Sequence, residues 1–275
     1  METTEDNNLF SREISGWSTG KIIEFIHTSD YRAFEAVGWA LENIAEATEK
    51  IYERITEGGR VIYVGAGTSG RLAAQDVAEL RPTYGIGSDI FDYVMAGGND
   101  AILHSIEGAE DDREEAVRIL KEEKHLKKND IVFGISASGS TPFVISSLEY
   151  GKKLGALTVS LTNNRDKPVS KISDVSICCL TGAEIIQGST RMKAGTCQKM
   201  VLGAISTTIA IKLGLTYKNT MSNMGAWYNE KLRKRAQNML VREFGLEQSN
   251  AIQLLEENMY DMNRVMAMLE RERKE

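Results

Sequence analysis

Apolar residues recur early in the chain at spacings of three, four and seven: Phe34, Val37, Leu41, Ile44, Ile51 and Ile55. Such spacing lines up one face of a helix, and it predicts a long amphipathic helix over 31–55, ended by Gly58-Gly59. Residues 1–20 are polar, with Leu9, Phe10, Ile14 and Trp17 as isolated anchors. They predict an extended arm that packs on another surface, such as a second subunit, and Ser18-Thr19 suit the cap of a short helix through Ile26. From residue 61 the pattern changes. Short apolar runs rich in β-branched residues fall at 61–64, 90–95, 130–136, 156–162 and 174–180, with helical stretches between them at 71–80, 112–126 and 142–154. This alternation predicts an α/β fold, a doubly wound five-stranded parallel sheet with ligands held at the carboxyl ends of the strands. A further helix from about Thr190 to Leu213 closes it. After Gly214 no strand pattern is visible. Met239, Leu240, Leu254, Leu255, Met259, Met262, Val265, Met266 and Leu269 give residues 225–272 a helical period and predict a small bundle ending in a charged tail. The expected division is 1–57, 58–214 and 215–275.

Composition narrows the function. With 42% hydrophobic and 26% charged residues the chain reads as an ordinary soluble globular protein. A formal net charge of −6 argues against a nucleic-acid surface, and the basic cluster at 231–235 reads as a solvated helix face. Cys178, Cys179 and Cys197 form neither a disulfide framework nor a CxxC pair, and Cys178 and Cys179 sit in an apolar run as buried thiols would. That usage fits a cytoplasmic protein. The acidic, polar start is not a signal peptide, and no apolar run approaches the length of a membrane span.

Three stretches carry candidate chemistry. In the first, Val61 to Val64 breaks into Gly65-Ala66-Gly67-Thr68-Ser69-Gly70, and a helix opens at Arg71. A strand, a glycine-rich turn and a helix offer free backbone N–H groups to an anion. Gly67, Thr68, Ser69 and Arg71 are therefore candidate ligands. A dinucleotide site would want an acidic residue ending the second strand, but that strand runs into Ala96-Gly97-Gly98-Asn99, so a sugar phosphate suits the turn better than NAD. The same helix delivers the carboxylate of Glu79. In the second stretch, Ser136, Ser138, Ser140 and Thr141 surround one glycine at a strand-to-helix turn. Helix capping accounts for one hydroxyl; four suit a phosphate. The third stretch, 184–196, brings Glu184, Ser189, Thr190, Arg191 and Lys193 together before a helix, where the cations can pair with an anionic group or orient the carboxylates. Between them lies Glu107-Gly108-Ala109-Glu110-Asp111-Asp112. Asp111 or Asp112 suits a helix cap, which leaves Glu110 as a second acid/base candidate.

Taken together, YVGAGTSGRL with the downstream AEL-x-PTYG, MAGGNDAI, EGAEDD, SASGSTP and EIIQGSTRMKAGTCQK resemble the sugar isomerase (SIS) domain superfamily. Within it they are most similar to the N-acetylmuramic acid 6-phosphate etherase family, over about residues 60 to 200. The resemblance implies a lyase that removes D-lactate from C3 of a phosphorylated amino sugar, with Glu79 and Glu110 as its acid/base pair. It implies no metal and no cofactor, a homodimer with its active site at the subunit interface, and a helical C-terminal part. The chain departs from the family's usual cysteine-proline-proline run at Leu80-Arg81-Pro82, and from its usual arginine at Ser140. Two other functions use the same phosphate-binding frame. An aldose–ketose isomerase also needs a base at C2, and His104 is the histidine nearest Glu110 in sequence. A non-catalytic sugar-phosphate sensor needs no base.

Overall fold

The computed structural model describes residues 3–221 and 230–273. The 225–229 start of the predicted bundle and the last two residues of the charged tail lie outside the described residues. Two compact units divide the chain: Met1–Val77 with Ser88–Ser206, and Ala78–Gly87 with Thr207–Glu275.

In the first unit, residues 3–17 are not an extended arm. They turn through two 3₁₀ segments, Leu9–Ser11 and Ile14–Gly16, and bond to loops of their own chain. Ser18 caps α1 (Thr19–Trp39), its hydroxyl accepting the Lys21 amide at 3.4 Å. The helix runs past residue 26 without interruption, and the joint falls later, at Ala40, before α2 (Leu41–Thr56). The apolar spacing continues across that joint, which is why sequence alone merges the two helices. Ala40 donates to the Val37 carbonyl, and its own carbonyl accepts Ile44, so the turn is tightened rather than lost. α2 buries Ile44, Ile51 and Ile55.

The sheet follows as predicted: β1 (Val61–Gly65), β2 (Phe91–Met95), β3 (Ile131–Ser136), β4 (Leu157–Thr162) and β5 (Val175–Cys178), all parallel, in the order β2-β1-β3-β4-β5. Every residue of β1, β3 and β4 is buried, as expected of strands covered on both faces. On one face Ile62, Val64, Val94 and Val132 pack with Leu120, Phe143, Val144 and Leu148. Side-chain alternation puts Tyr63 on the other face, its ring 5.7 Å from Phe91 and 5.3 Å from Phe133.

The connecting helices differ from expectation in detail. α3 (Gly67–Tyr84) starts inside the glycine turn and continues through Pro82. Proline cannot donate to the carbonyl one turn back, while its neighbour Thr83 donates its hydroxyl to Glu79 O at 2.7 Å. α4 (Asp100–Leu103) is one turn, and α5 (Arg113–Arg118) passes into a π turn over Ile119–Glu123. α6 (Pro142–Leu154) matches its predicted range; α7 (Pro168–Ile172) and α8 (Lys193–Lys212) complete the set. Asp92 sits near the amino end of β2, where Lys124 Nζ reaches both its oxygens at 2.7 and 2.8 Å. It is a paired structural carboxylate, not a ribose ligand.

The second unit contains a two-residue ribbon that sequence did not show, β6 (Thr216–Tyr217) paired antiparallel with β7 (Thr220–Met221). Strands this short carry no period to detect. α9 (Glu230–Phe244), α10 (Gln248–Glu257) and α11 (Met262–Glu272) bury Leu232, Met239, Leu240, Leu255, Met262, Val265 and Met266 together, as a bundle should. Met259, expected on the apolar face, is instead 76% exposed at positive φ in the turn after α10. Among the described residues no helix is long and apolar enough to cross a membrane.

Candidate active site

Strand order decides where the site lies. From β1 the chain crosses to β2 at one edge, and from β3 it crosses the other way, to β4. In open α/β sheets such a reversal, at the carboxyl ends of the neighbouring strands β1 and β3, is the usual ligand position. Gly65 pairs with Ile135, so the glycine turn and the hydroxyl loop start side by side.

The glycine turn is closely packed. A Cβ on Gly70 would meet the Gly65 carbonyl oxygen at 2.8 Å and the Met95 side chain at 2.9 Å, so only glycine lets α3 begin this close to β1 and β2. Gly67 is exposed, and with Arg71 and Glu110 it lines a cavity of about 180 Å³ beside Ala96. Arg71 has internal work as well: Nε donates to Ile102 O at 3.0 Å and Nη2 to His104 O at 3.1 Å. It thereby ties α3 to the segment leading to Glu110. Ser69, predicted as a ligand contact, is 8% exposed and donates instead to Gln198 Oε1 at 2.8 Å. Thr68 is half-buried at the same turn.

Glu110 stands on a single 3₁₀ turn, Ala109–Asp111, launched by Gly108 at φ 75. The neighbouring acids divide as the cap argument anticipated: Asp112 accepts the Glu115 amide at 2.9 Å and caps α5. Glu110 is exposed toward the cavity and is not a cap. Glu79, on the part of α3 that belongs to the second unit, also has an exposed side chain. One turn earlier Asp76 is held by Ser206 Oγ at 3.2 Å and Tyr63 Oη at 3.4 Å. Burial raises the Asp76 carboxyl above its ordinary range, against the lowering effect of those two hydrogen bonds and of Lys199.

In the hydroxyl loop Thr141 occupies the N-cap position of α6 but its side chain makes no cap bond. Its hydroxyl lies 2.8 Å from Ser136 Oγ, which also accepts the Gly139 amide at 3.0 Å. Ser138 Oγ accepts the Ser140 amide at 3.2 Å, and Ser140 is exposed. The hydroxyls are thus gathered around one turn ahead of a helix N-terminus, a donor set for an anion. Gly139 has φ 73, and a Cβ there would lie 2.5 Å from Lys167 Cβ and 2.7 Å from Thr162 Oγ1. The loop is wedged against the end of β4.

In the third stretch Glu184 is fully buried and caps α8, its oxygens accepting the Lys193 and Ala194 amides at 3.2 and 2.9 Å. Burial raises its carboxyl despite those bonds. Lys193, 3% exposed, donates to Ala183 O at 2.6 Å. Both were predicted as ligand contacts, and both have partners inside the protein. Ser189 and Thr190 are half-buried and Arg191 is exposed. Lys193 also lines a second cavity, of about 430 Å³, with Phe10, Phe25, Arg32 and Thr181.

Sequence reasoning missed the residues that brace these loops. Gln198 passes the bond from Ser69 on to Asn163 Oδ1 at 3.1 Å, and Asn163 donates to Cys179 O at 3.0 Å. Asn164 donates to Ala137 O at 2.9 Å. The available signal was Thr162-Asn163-Asn164, two amides directly after a buried strand. Among the described residues no group of three or more His, Cys, Asp or Glu side chains is placed to hold a metal.

Comparison with known proteins agrees with this frame. Residues 43–152 match the model of the glucokinase regulatory protein N-terminal SIS domain, and residues 104–207 match the SIS domain. Among solved structures, a phosphoheptose isomerase from Francisella tularensis superposes with a TM-score of 0.55 at 17% identity, over 71% of this chain and 99% of that one. A putative phosphosugar isomerase involved in capsule formation, from Bacteroides fragilis, gives 0.53 at 21%, over 72% and 94%. These likenesses establish the fold. The N-acetylmuramic acid 6-phosphate etherase of Clostridium beijerinckii is 42% identical over 97% of this chain and 87% of its own length. N-acetylmuramic acid 6-phosphate etherase 1 of Enterococcus faecalis is 43% identical over 92% and 84%. At that identity over nearly the whole length, with the glycine turn, the hydroxyl loop and the Glu110 turn gathered at one end of a SIS-type sheet, the chain belongs to the N-acetylmuramic acid 6-phosphate etherase family.

Proposed function

We propose that this protein is a carbon–oxygen lyase that converts N-acetylmuramic acid 6-phosphate to N-acetylglucosamine 6-phosphate and D-lactate. The observation that carries the proposal is similarity to etherases over 97% of the chain; the placement of Glu110 supports it. In the open-chain sugar the C2 proton is α to an aldehyde, and the C3 ether oxygen is a β-leaving group. A carboxylate removes the proton, the C3–O bond breaks with its electron pair going to the lactyl oxygen, and a carboxylic acid protonates that oxygen. Water then adds at C3. We assign the base to Glu110, in the cavity with Gly67 and Arg71, and the acid to Glu79. The chemistry asks for two carboxyl groups and no electrophilic metal.

The 6-phosphate is assigned to the hydroxyl loop. Ser138→Ala and Thr141→Ala are each expected to weaken binding of phosphorylated substrate by about 10- to 100-fold, the loss of one charge-assisted hydrogen bond. Steady-state kinetics checks this; unchanged KM would make the loop a turn and nothing more. The function itself is tested by a panel of hexose 6-phosphates with and without a 3-O-lactyl group. D-lactate should be released from the substituted sugar, whereas ketose formation from the unsubstituted ones would mark an isomerase.

We further assign a homodimer. α1 exposes Ile23, Tyr31 and Phe34 at 61–67% of their surface, a face suited to burial against a second copy. Sedimentation at micromolar concentration should give a dimer; a fully active monomer would exclude a site shared between subunits. Three free cysteines suit a reducing cytoplasm, and a substrate of this kind suits a role in cell-wall amino-sugar recycling.

A further inference from the structure

The N-terminal residues reach the phosphate loop through one buried side chain. Thr4 is fully buried, although it lies in the polar start of the chain. Its amide donates to Asn164 Oδ1 at 3.0 Å, and Asn164 Nδ2 returns a bond to Thr4 Oγ1 at 2.8 Å. That reciprocal pair uses the asparagine amide at both ends and fixes its orientation. The same Nδ2 donates to the carbonyl of Ala137 at 2.9 Å. Ala137 stands between Ser136 and Ser138, and its carbonyl also receives the Asn163 amide at 3.1 Å. Thr4 is kept in place from both sides: its hydroxyl donates to Glu5 Oε1 at 3.2 Å, and the Glu5 carbonyl accepts Gln187 Nε2 at 3.0 Å. Farther along, Ser11 Oγ donates to Ile185 O at 2.6 Å. Residues 3–11 therefore cross the loops after β4 and β5 and end their polar chain on the backbone between two phosphate-loop serines.

We propose that Thr4 and Asn164 are positioning residues for phosphate capture, and that the N-terminal arm sets the affinity of the 136–141 loop without taking part in the proton chemistry. The inference rests on the assignment of the 6-phosphate to that loop. A phosphate site gains from donors already aimed before the ligand arrives. Serine hydroxyls turn freely; the backbone between them does not. Without the Thr4 hydroxyl, Asn164 keeps the Thr4 amide on its Oδ1 but its Nδ2 is held by the Ala137 carbonyl alone, and the grip on the backbone between the two serines loosens. Thr4→Val keeps the shape and the main-chain bond but removes the hydroxyl that Asn164 grips. Thr4→Ser restores it.

The test compares wild type, Thr4→Val, Thr4→Ser and Ser138→Ala in the full-length protein. It measures the affinity of inorganic phosphate by titration calorimetry, KM and kcat with phosphorylated substrate, and melting temperature. In Thr4→Val, KM and the phosphate dissociation constant should rise together by about 3- to 10-fold, the range open to one uncharged hydrogen bond. kcat should stay within about twofold, and Thr4→Ser should return both constants to wild type. A lower melting temperature with both constants unchanged would overturn the proposal and leave the arm a structural brace. A rise in KM with unchanged phosphate affinity would overturn it too, because the effect would then lie elsewhere in the site. If Ser138→Ala weakens phosphate and Thr4→Val does not, the positioning role alone fails. If neither does, the phosphate assignment fails with it.

Discussion

Alanine at position 110 is expected to stop exchange of the substrate's C2 proton with deuterated solvent and to lower turnover by about 10²- to 10⁴-fold, the usual contribution of a positioned base. The expectation follows from what surrounds Glu110. Its turn is launched by Gly108 in a left-handed conformation, its neighbour Asp112 takes over the cap of α5, and Arg71 binds the segment just ahead of it. Glu110 is left exposed in the cavity beside Gly67. Removing its side chain breaks none of the described hydrogen bonds, so the fold and the melting temperature should be preserved while exchange is lost. Exchange continuing at the wild-type rate would remove Glu110 from the role of base.

Alanine at position 79 should behave differently. An enolate at C1–C2 forms without help at C3, so Glu79→Ala is expected to retain exchange of the C2 proton. Departure of lactate is another matter, because an alkoxide leaving unprotonated faces a high barrier. Release of D-lactate should therefore fall by about 10²- to 10⁴-fold. The comparison of exchange with release, made on one sample by NMR, separates the two steps. Exchange lost equally in both variants would keep the two glutamates as a pair but reject this division of labour.

The sheet was legible because parallel strands buried on both faces must be continuous apolar runs, and α3 and α6 separate two pairs of them by helices of ordinary length. Boundaries blurred where periodicity survives a change of geometry: Ala40 tightens one turn without shifting the apolar face, and Pro82 lies within α3 rather than ending it. Of the candidate site, what was legible is placement: glycine and hydroxyl clusters at strand ends suggest an anion loop by composition, and the structure starts the turns of Gly67, Ser138 and Thr141 from neighbouring strands. Composition does not say which polar groups point inward. Ser69, Glu184 and Lys193 belong to the same clusters, yet they bond to Gln198, to the start of α8 and to Ala183. The pairing of Asn164 with Thr4 was invisible for another reason: the two lie 160 residues apart in the chain. No local pattern encodes that separation.

The central claim is that proton removal at C2 drives expulsion of the 3-O substituent. The most direct measurement follows N-acetylmuramic acid 6-phosphate and the wild-type protein in heavy water by proton NMR. The account predicts D-lactate and N-acetylglucosamine 6-phosphate in equal amounts, with deuterium at C2 of the sugar product. Lactate released from a product that still carries its original C2 proton, or a ketose phosphate formed without lactate, would contradict it.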